Sequence, residues 1–250
     1  MMETLSWRTL VEEKTPAAVM RFIKKTGKGI NTYSMIRDGD TILLSVSGGK
    51  DSLALALALS LRRRWLPIDY TLKAVLINWI EHPIPEAYRS KLGEYFCALD
   101  IDFTILDEHQ YPDSFGGQFN CYLCSRNRRR ILFEYCEREG ISVIAMGHHL
   151  DDLVETSLMN LCFRANFATM QPVQTFFGGK ITIIRPMIEV RESMICNLVA
   201  RYDLPIVKPV CPFDETNIRS RLKPIIRELS HIDKLTREHI YHAHQFDARM

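Results

Sequence analysis

The segment Ser47-Gly48-Gly49-Lys50-Asp51-Ser52 stands between the apolar run Thr41-Ile-Leu-Leu-Ser-Val46 and the Leu/Ala stretch from Leu53 to Leu61. That order dictates a strand, a glycine turn and a helix start. Leucine alternating with alanine imitates a strand period, but both residues are strong helix formers and follow directly on the turn, so the stretch reads as helix. The two glycines permit close backbone approach. Amide N–H groups of the turn and of the helix N-terminus then favour an anionic group such as a phosphate. Lys50 adds a point charge, and Asp51 can hold a divalent cation beside it. The spacing differs from the Gly-x-x-x-x-Gly-Lys-Ser/Thr phosphate loop.

Four further apolar segments read as strands: Leu72–Ile77, Phe103–Leu106, Ser142–Met146 and Ile181–Ile184. Helical patterns separate them, at Asp51–Arg64, Glu86–Ala98, Leu123–Glu139, Asp151–Cys162 and Val190–Tyr202. This alternation implies an α/β fold in a single domain, a mostly parallel twisted sheet with helices on both faces. Ligands of such sheets bind beyond the carboxyl ends of the strands, so Ser47 and Gly147 are expected on one rim. Residues 1–37 read as a basic helical lead-in, 38–205 as the α/β domain, and 206–250 as a C-terminal segment with helices over Asn217–Tyr241. Phe176-Phe177-Gly178-Gly179-Lys180-Ile181 reads as a hairpin on a tight Gly-Gly turn.

Hydrophobic residues at 46% and charged residues at 25% exclude a disordered or solvating chain. No apolar stretch reaches membrane-spanning length, and residues 1–13 lack a continuous apolar core, so the expectation is a cytoplasmic protein without membrane association. A net charge of +2 says little about partners, but Arg62-Arg63-Arg64, Arg126 with Arg128–Arg130, and Arg219, Arg221 and Lys223 cluster basic residues. Each cluster alone reads as a solvated helix face, and together they are compatible with a phosphate-binding surface. Seven cysteines argue for free thiols or metal ligands rather than a disulfide framework.

Cys121-Tyr-Leu-Cys124 precedes an arginine-rich helix, and Cys211 follows far downstream. A pair at this spacing can ligate one metal centre, and a distant third cysteine can complete three thiolates. Zinc, a redox dithiol and unrelated buried thiols compete for the same pattern. Cys211-Pro-Phe-Asp214 has aspartate where a second pair would end, which disfavours a four-thiolate zinc site. Cys97, Cys136, Cys162 and Cys196 fall in apolar helical patterns and read as core. His148, His149, His239, His242 and His244 read as local hydrogen-bonding or surface residues, and Trp7, Trp65 and Trp79 as packing residues.

Ser-Gly-Gly-x-Asp-Ser at 47–52 resembles the loop of the PP-loop ATP pyrophosphatases, which split ATP between the α and β phosphates. Combined with Cys-x-x-Cys-Ser-Arg at 121–126, Gly147-His-His-Leu-Asp-Asp152, Ile184-Arg-Pro-Met187 and Cys211, the chain resembles the tRNA 2-thiocytidine synthetase family. The resemblance implies that Ser47, Gly48, Gly49, Lys50, Asp51 and Ser52 bind ATP, with Asp51 contacting Mg²⁺. It implies that Cys121, Cys124 and Cys211 bind a 4Fe-4S cluster whose fourth iron accepts sulfide. Asp151 and Asp152 match the acidic pair near the reacting groups, and Arg128 matches a basic position one turn past the cysteines. A helix-capping role is the plainer reading of the two aspartates. Two departures stand out: a second Cys-x-x-Cys is reduced to Cys211, and Phe163-Arg164-Ala165 replaces aromatic-Gly-Gly.

The expected reaction is ATP-dependent tRNA thiolation: adenylation of a base carbonyl, C2 of a loop cytidine, then sulfur insertion. Expected partners are tRNA and a sulfur donor, either a cysteine desulfurase system or free sulfide, with the enzyme a homodimer. A cluster-free ligase of the lysidine-synthetase type, a desulfurase of thiolated bases and a non-catalytic nucleotide-binding regulator are the competing readings.

Overall fold

In the computed structural model, which describes residues 5–111, 120–207 and 218–244, the chain opens with α1 (Arg8–Glu12) and α2 (Ala17–Thr32). There follow β1 (Thr41–Val46), α3 (Lys50–Arg62), β2 (Thr71–Trp79), α4 (Glu86–Ala98), β3 (Asp102–Glu108), α5 (Cys121–Glu139) and β4 (Val143–Ala145). The remainder is α6 (Leu150–Arg164), β5 (Val173–Phe176), β6 (Ile181–Ile184), α7 (Glu192–Tyr202), α8 (Ile218–Ile232) and α9 (Thr236–Ala243). The sheet order is β3-β2-β1-β4-β6-β5, and every neighbouring pair is parallel except β5 with β6. The direction of strand succession reverses between β1 and β4, so the loops after these two strands flank a crevice at the rim.

Both sheet faces are covered, which is why β1 is apolar almost throughout. Ile42, Leu44 and Val46 pack into one core with α2, α3, α4 and α7, whereas Leu43 joins Val75, Ile144, Ile131 and Tyr135 beneath α5. The first core runs from Trp7 to Tyr241, so the ends of the described chain share one apolar interior. This is the single α/β domain expected. Among the described residues no helix is long and apolar enough to cross a membrane.

Three local readings are corrected. The expected hairpin at Phe176–Ile181 is present, but its first arm extends back through a sixth strand absent from the five read as strands: β5, Val173-Gln-Thr-Phe176, is short and polar at its centre. Of the four cysteines assigned to the core only Cys136 is buried, while Cys97, Cys162 and Cys196 are exposed, because they fall on the solvent side of their helices. Arg62, Arg63 and Arg64 take structural partners, Asn31 Oδ1 at 3.0 Å, Leu99 O at 2.9 Å and Val11 O at 2.6 Å. They sit at the far end of α3, about 20 Å along the helix from the glycine turn.

Candidate active site

Gly48 has φ +79°, a conformation open to glycine, and the Cβ of any larger residue would sit 3.1 Å from the side chain of Val207. Val207 N donates to Gly48 O at 2.9 Å, which presses the C-terminal arm of the domain against the loop four residues before Cys211. Gly49 is the extended N-cap of α3 and supplies no capping side chain. First-turn amides of α3 therefore remain available to an anion. Ser47 and Ser52 brace the turn instead: Ser52 Oγ donates to Gly49 O at 2.9 Å, and Gly49 N donates to Ser47 Oγ at 3.3 Å.

Gly147, just after β4, faces this helix start from the other side of the crevice. A Cβ there would meet Asp51 C and Ser52 N at 3.0 Å, both backbone atoms. Only glycine lets the two loops approach this closely.

His149 caps α6 in a reciprocal box: Asp152 N donates to its Nδ1 at 3.4 Å and His149 N donates to Asp152 Oδ2 at 3.0 Å. The ring's Nε2 lies 3.6 Å from Asp51 and 3.5 Å from Asp152. Asp152 is thus both cap and cavity wall. Asp151 turns elsewhere, accepting from Glu192 N at 2.6 Å and from Arg237 Nε at 2.6 Å. It fastens the start of α7 and α9 to α6.

Lys50 bridges Asp51 at 2.8 Å and Glu192 at 2.9 Å. Burial opposes its charge most strongly, but the hydrogen bonds and attraction of the two carboxylates outweigh it and raise the ammonium above its ordinary value. Burial likewise opposes the Glu192 charge, yet Lys50, Lys223 and His149 together bring that carboxyl down to about 2. Lys223, assigned from sequence to a basic cluster, lies 3.3 Å from Glu192 and 3.8 Å from Glu155.

Beside these groups lies a cavity of about 620 Å³, lined by Ser47, Asp51, Asp152, His148, Arg128 and Arg185 among others. Arg128 also lies over the Trp79 ring, 5.5 Å from its centroid. Arg185 is 6% exposed, donates to Gln171 O, and its Nε has no hydrogen-bond partner among the described residues. Burial, and then repulsion from Arg129, lowers this guanidinium to about 10. No described carboxylate pairs with it. Such a buried cation beside a cavity is suited to an anionic ligand.

Cys121 and Cys124 lie within the first turn of α5, not ahead of the helix, because Asn120 caps it by accepting from Leu123 N at 3.1 Å. Cys121 is exposed, and Cys124 is half-buried with Gln110 Nε2 donating to its Sγ at 3.3 Å. Neighbouring Ser125 borders the cavity. Cys211 lies outside the described residues. Among those described, no three His, Cys, Asp or Glu side chains are grouped closely enough to hold a metal. Asp51 and Asp152 with the serine hydroxyls suit a cation completed by phosphate oxygens and water. Two thiolates on one helix turn suit a cluster needing ligands from elsewhere in the chain.

Sequence reading did not find Glu192, Asp151's partner Arg237, or the buried setting of Arg185. Only the last had any signal, an arginine in an otherwise apolar post-strand run.

The PP-loop domain family matches residues 19–230. A tRNA-cytidine(32) 2-sulfurtransferase of Pelobacter propionicus is 35% identical over 211 residues, 81% of this chain and 77% of the relative. Another, of Syntrophotalea carbinolica, is 37% identical over 225 residues, 85% of this chain and 83% of the relative. The fold is similar to that of the U34-tRNA thiolase NcsA from Methanococcus maripaludis, solved with its [4Fe-4S] cluster, at TM-score 0.72 and 20% identity over 98% of this chain and 87% of that one. With its loop, rim and cavity arranged in this way, the chain belongs to the PP-loop domain family and, within it, to the family of the tRNA-cytidine(32) 2-sulfurtransferases.

Proposed function

We propose that the protein catalyses ATP-dependent thiolation of tRNA at C2 of a loop cytidine, position 32 by its relatives. One observation carries the reading: Ser47, Asp51 and Ser52 of the glycine loop, Asp152, Arg128, and Ser125 beside the cysteine pair of α5 border a common cavity. A carbonyl oxygen of cytosine is a poor leaving group, and transfer of AMP from ATP converts it to a good one. The first-turn amides of α3 and Lys50 bind the β and γ phosphates and stabilise departing pyrophosphate. Asp51 and Asp152 would hold Mg²⁺, which would supply charge neutralisation to the phosphates, and Arg128 stabilises negative charge developing near the α phosphate.

Cys121, Cys124 and Cys211 would hold a 4Fe-4S cluster, which when bound supplies an open iron able to carry sulfide. This chain's contribution is to carry two of those thiolates on the first turn of α5, next to Ser125 of the cavity wall, on a helix end whose amides favour negative charge. The sulfur source is a cysteine desulfurase system or free sulfide, and the enzyme is a homodimer working in the cytoplasm. These partner assignments rest on the family resemblance.

The test is anaerobic purification, iron and sulfide analysis, and nucleoside mass spectrometry of tRNA incubated with ATP and sulfide. Thiolated cytidine that disappears in Cys124→Ser is the expected outcome. Full thiolation by that variant sinks the cluster assignment, and pyrophosphate release with no thiolated product favours a ligase.

A further inference from the structure

A second hollow, of about 680 Å³, lies between α5 and the β5–β6 hairpin and is separate from the glycine loop. Its walls carry Arg126, Arg129, Arg130 and Lys180 against two carboxylates, Glu134 and Glu137. Arg130 is paired with Glu134 at 2.7 Å, which leaves Arg126, Arg129, Lys180 and Glu137 without an ion-pair partner among the described residues. An aromatic wall completes it: Phe133 stands 5.1 Å from Phe176 and 5.4 Å from Phe177. Phe177 is 63% exposed and is held at φ +54°, a left-handed conformation that bulky side chains avoid. Its backbone thus keeps a large apolar ring in water at the lip of a basic groove.

We propose that this groove binds single-stranded RNA, the strand of the tRNA loop adjoining the nucleotide that enters the reaction cavity. The inference rests on the function proposed above and names where its substrate docks. Interleaved cations and an exposed aromatic ring match what an unpaired strand presents, phosphates for charge pairing and base faces for stacking. Arg129 gives the groove its direction. It borders both this hollow and the reaction cavity, and it lies 6.0 Å from the Phe176 ring centroid. A strand seated on Phe177 is passed by Arg129 towards Arg185 and the glycine loop. A second copy of the chain fits less well, because a two-fold contact through this face brings like charges together.

The test is fluorescence anisotropy of the full-length protein with a labelled eight-nucleotide cytidine-containing RNA, with intact tRNA, and with inorganic polyphosphate as a base-free control. Phe177→Ala is expected to weaken binding of both RNAs about tenfold and to leave polyphosphate affinity unchanged. The double change Arg126→Gln with Lys180→Gln is expected to lower the slope of log affinity against log salt by about 1.4, roughly 0.7 per lost phosphate contact on a single strand. Affinity for a non-hydrolysable ATP analogue stays constant in both variants, which reports an intact fold. RNA affinity and salt slope equal to the unaltered protein's overturn the proposal. So does a change of oligomeric state by sedimentation with RNA affinity retained, which makes the face a self-interface. Because RNA affinity is read without turnover, groove-dependent binding by a chain that makes no thiolated base refutes the reaction and leaves the groove standing. Normal thiolation with unaltered RNA binding in the variants refutes the groove alone.

Discussion

Lys50 Nζ lies 2.9 Å from Glu192 Oε1, so the cation of the phosphate loop is held by a carboxylate from the first residue of α7. Glu192 is depressed from an ordinary 4.5 to about 2. A depressed carboxyl contributes stability above its unfolded value, and that contribution is lost as pH falls through the folded value. Unfolding of the protein in urea is expected to become easier between about pH 4.5 and pH 2, by on the order of 2 kcal/mol from this group. Glu192→Gln should be less stable than the unaltered protein at pH 7, with the difference closing towards pH 2. A constant difference across that range excludes the linkage.

Gly147→Ala places a methyl group 3.0 Å from backbone atoms of Asp51 and Ser52. No side chain can rotate to relieve the contact, so either the start of α3 or the loop after β4 must move. The expected result is a stability loss of about 1–3 kcal/mol and a larger fractional loss of tRNA-dependent pyrophosphate release, tenfold or more in order of magnitude. Equal retention of both would show that the two loops need not touch.

Ala165 closes α6 at φ +49°, ψ +34°, the position where the resembled family pattern has glycine. Alanine in this conformation carries a cost of roughly 1 kcal/mol that glycine avoids. Ala165→Gly is therefore expected to raise stability by up to about 1 kcal/mol, despite glycine's greater unfolded-state entropy. Chemical denaturation measures it, and a destabilised variant contradicts the cap geometry.

Arg185→Gln removes a buried cation that has no described carboxylate partner while keeping a donor for the Gln171 carbonyl. Its effect on stability should stay within about 1 kcal/mol, because exchanging a charged donor for a neutral one weakens that hydrogen bond while relieving the cost of burying the charge. Turnover with tRNA should fall by roughly tenfold or more, with partial recovery in Arg185→Lys. Steady-state kinetics beside melting curves separate the two effects, and a severe loss of stability would make Arg185 a structural residue.

Strand β1, the glycine turn and α3 were legible because their determinants are neighbours in sequence: a β-branched run, two glycines and a helix-forming stretch. Helix α4 and strand β6 were read to the residue for the same reason. The hairpin at Phe176–Ile181 was legible from its Gly-Gly turn, but the extent of β5 escaped because Gln174 and Thr175 interrupt its apolar pattern. The cysteine pair was read as preceding α5, since a cap by Asn120 overrides any boundary inferred from the arginine-rich run.

Sequence alone determined the alternating architecture, the phosphate-type loop and the family pattern, all of which depend on residues close along the chain. Tertiary structure decided which polar residues work together. Glu192 meets Lys50, Asp151 turns to Arg237, and Arg185 is buried with no described carboxylate paired to it. Each of these follows from the strand order β1-β4-β6, which brings distant loops to one rim. Burial there strips water from the charges and makes their mutual distances, rather than their spacing in the chain, set their chemistry.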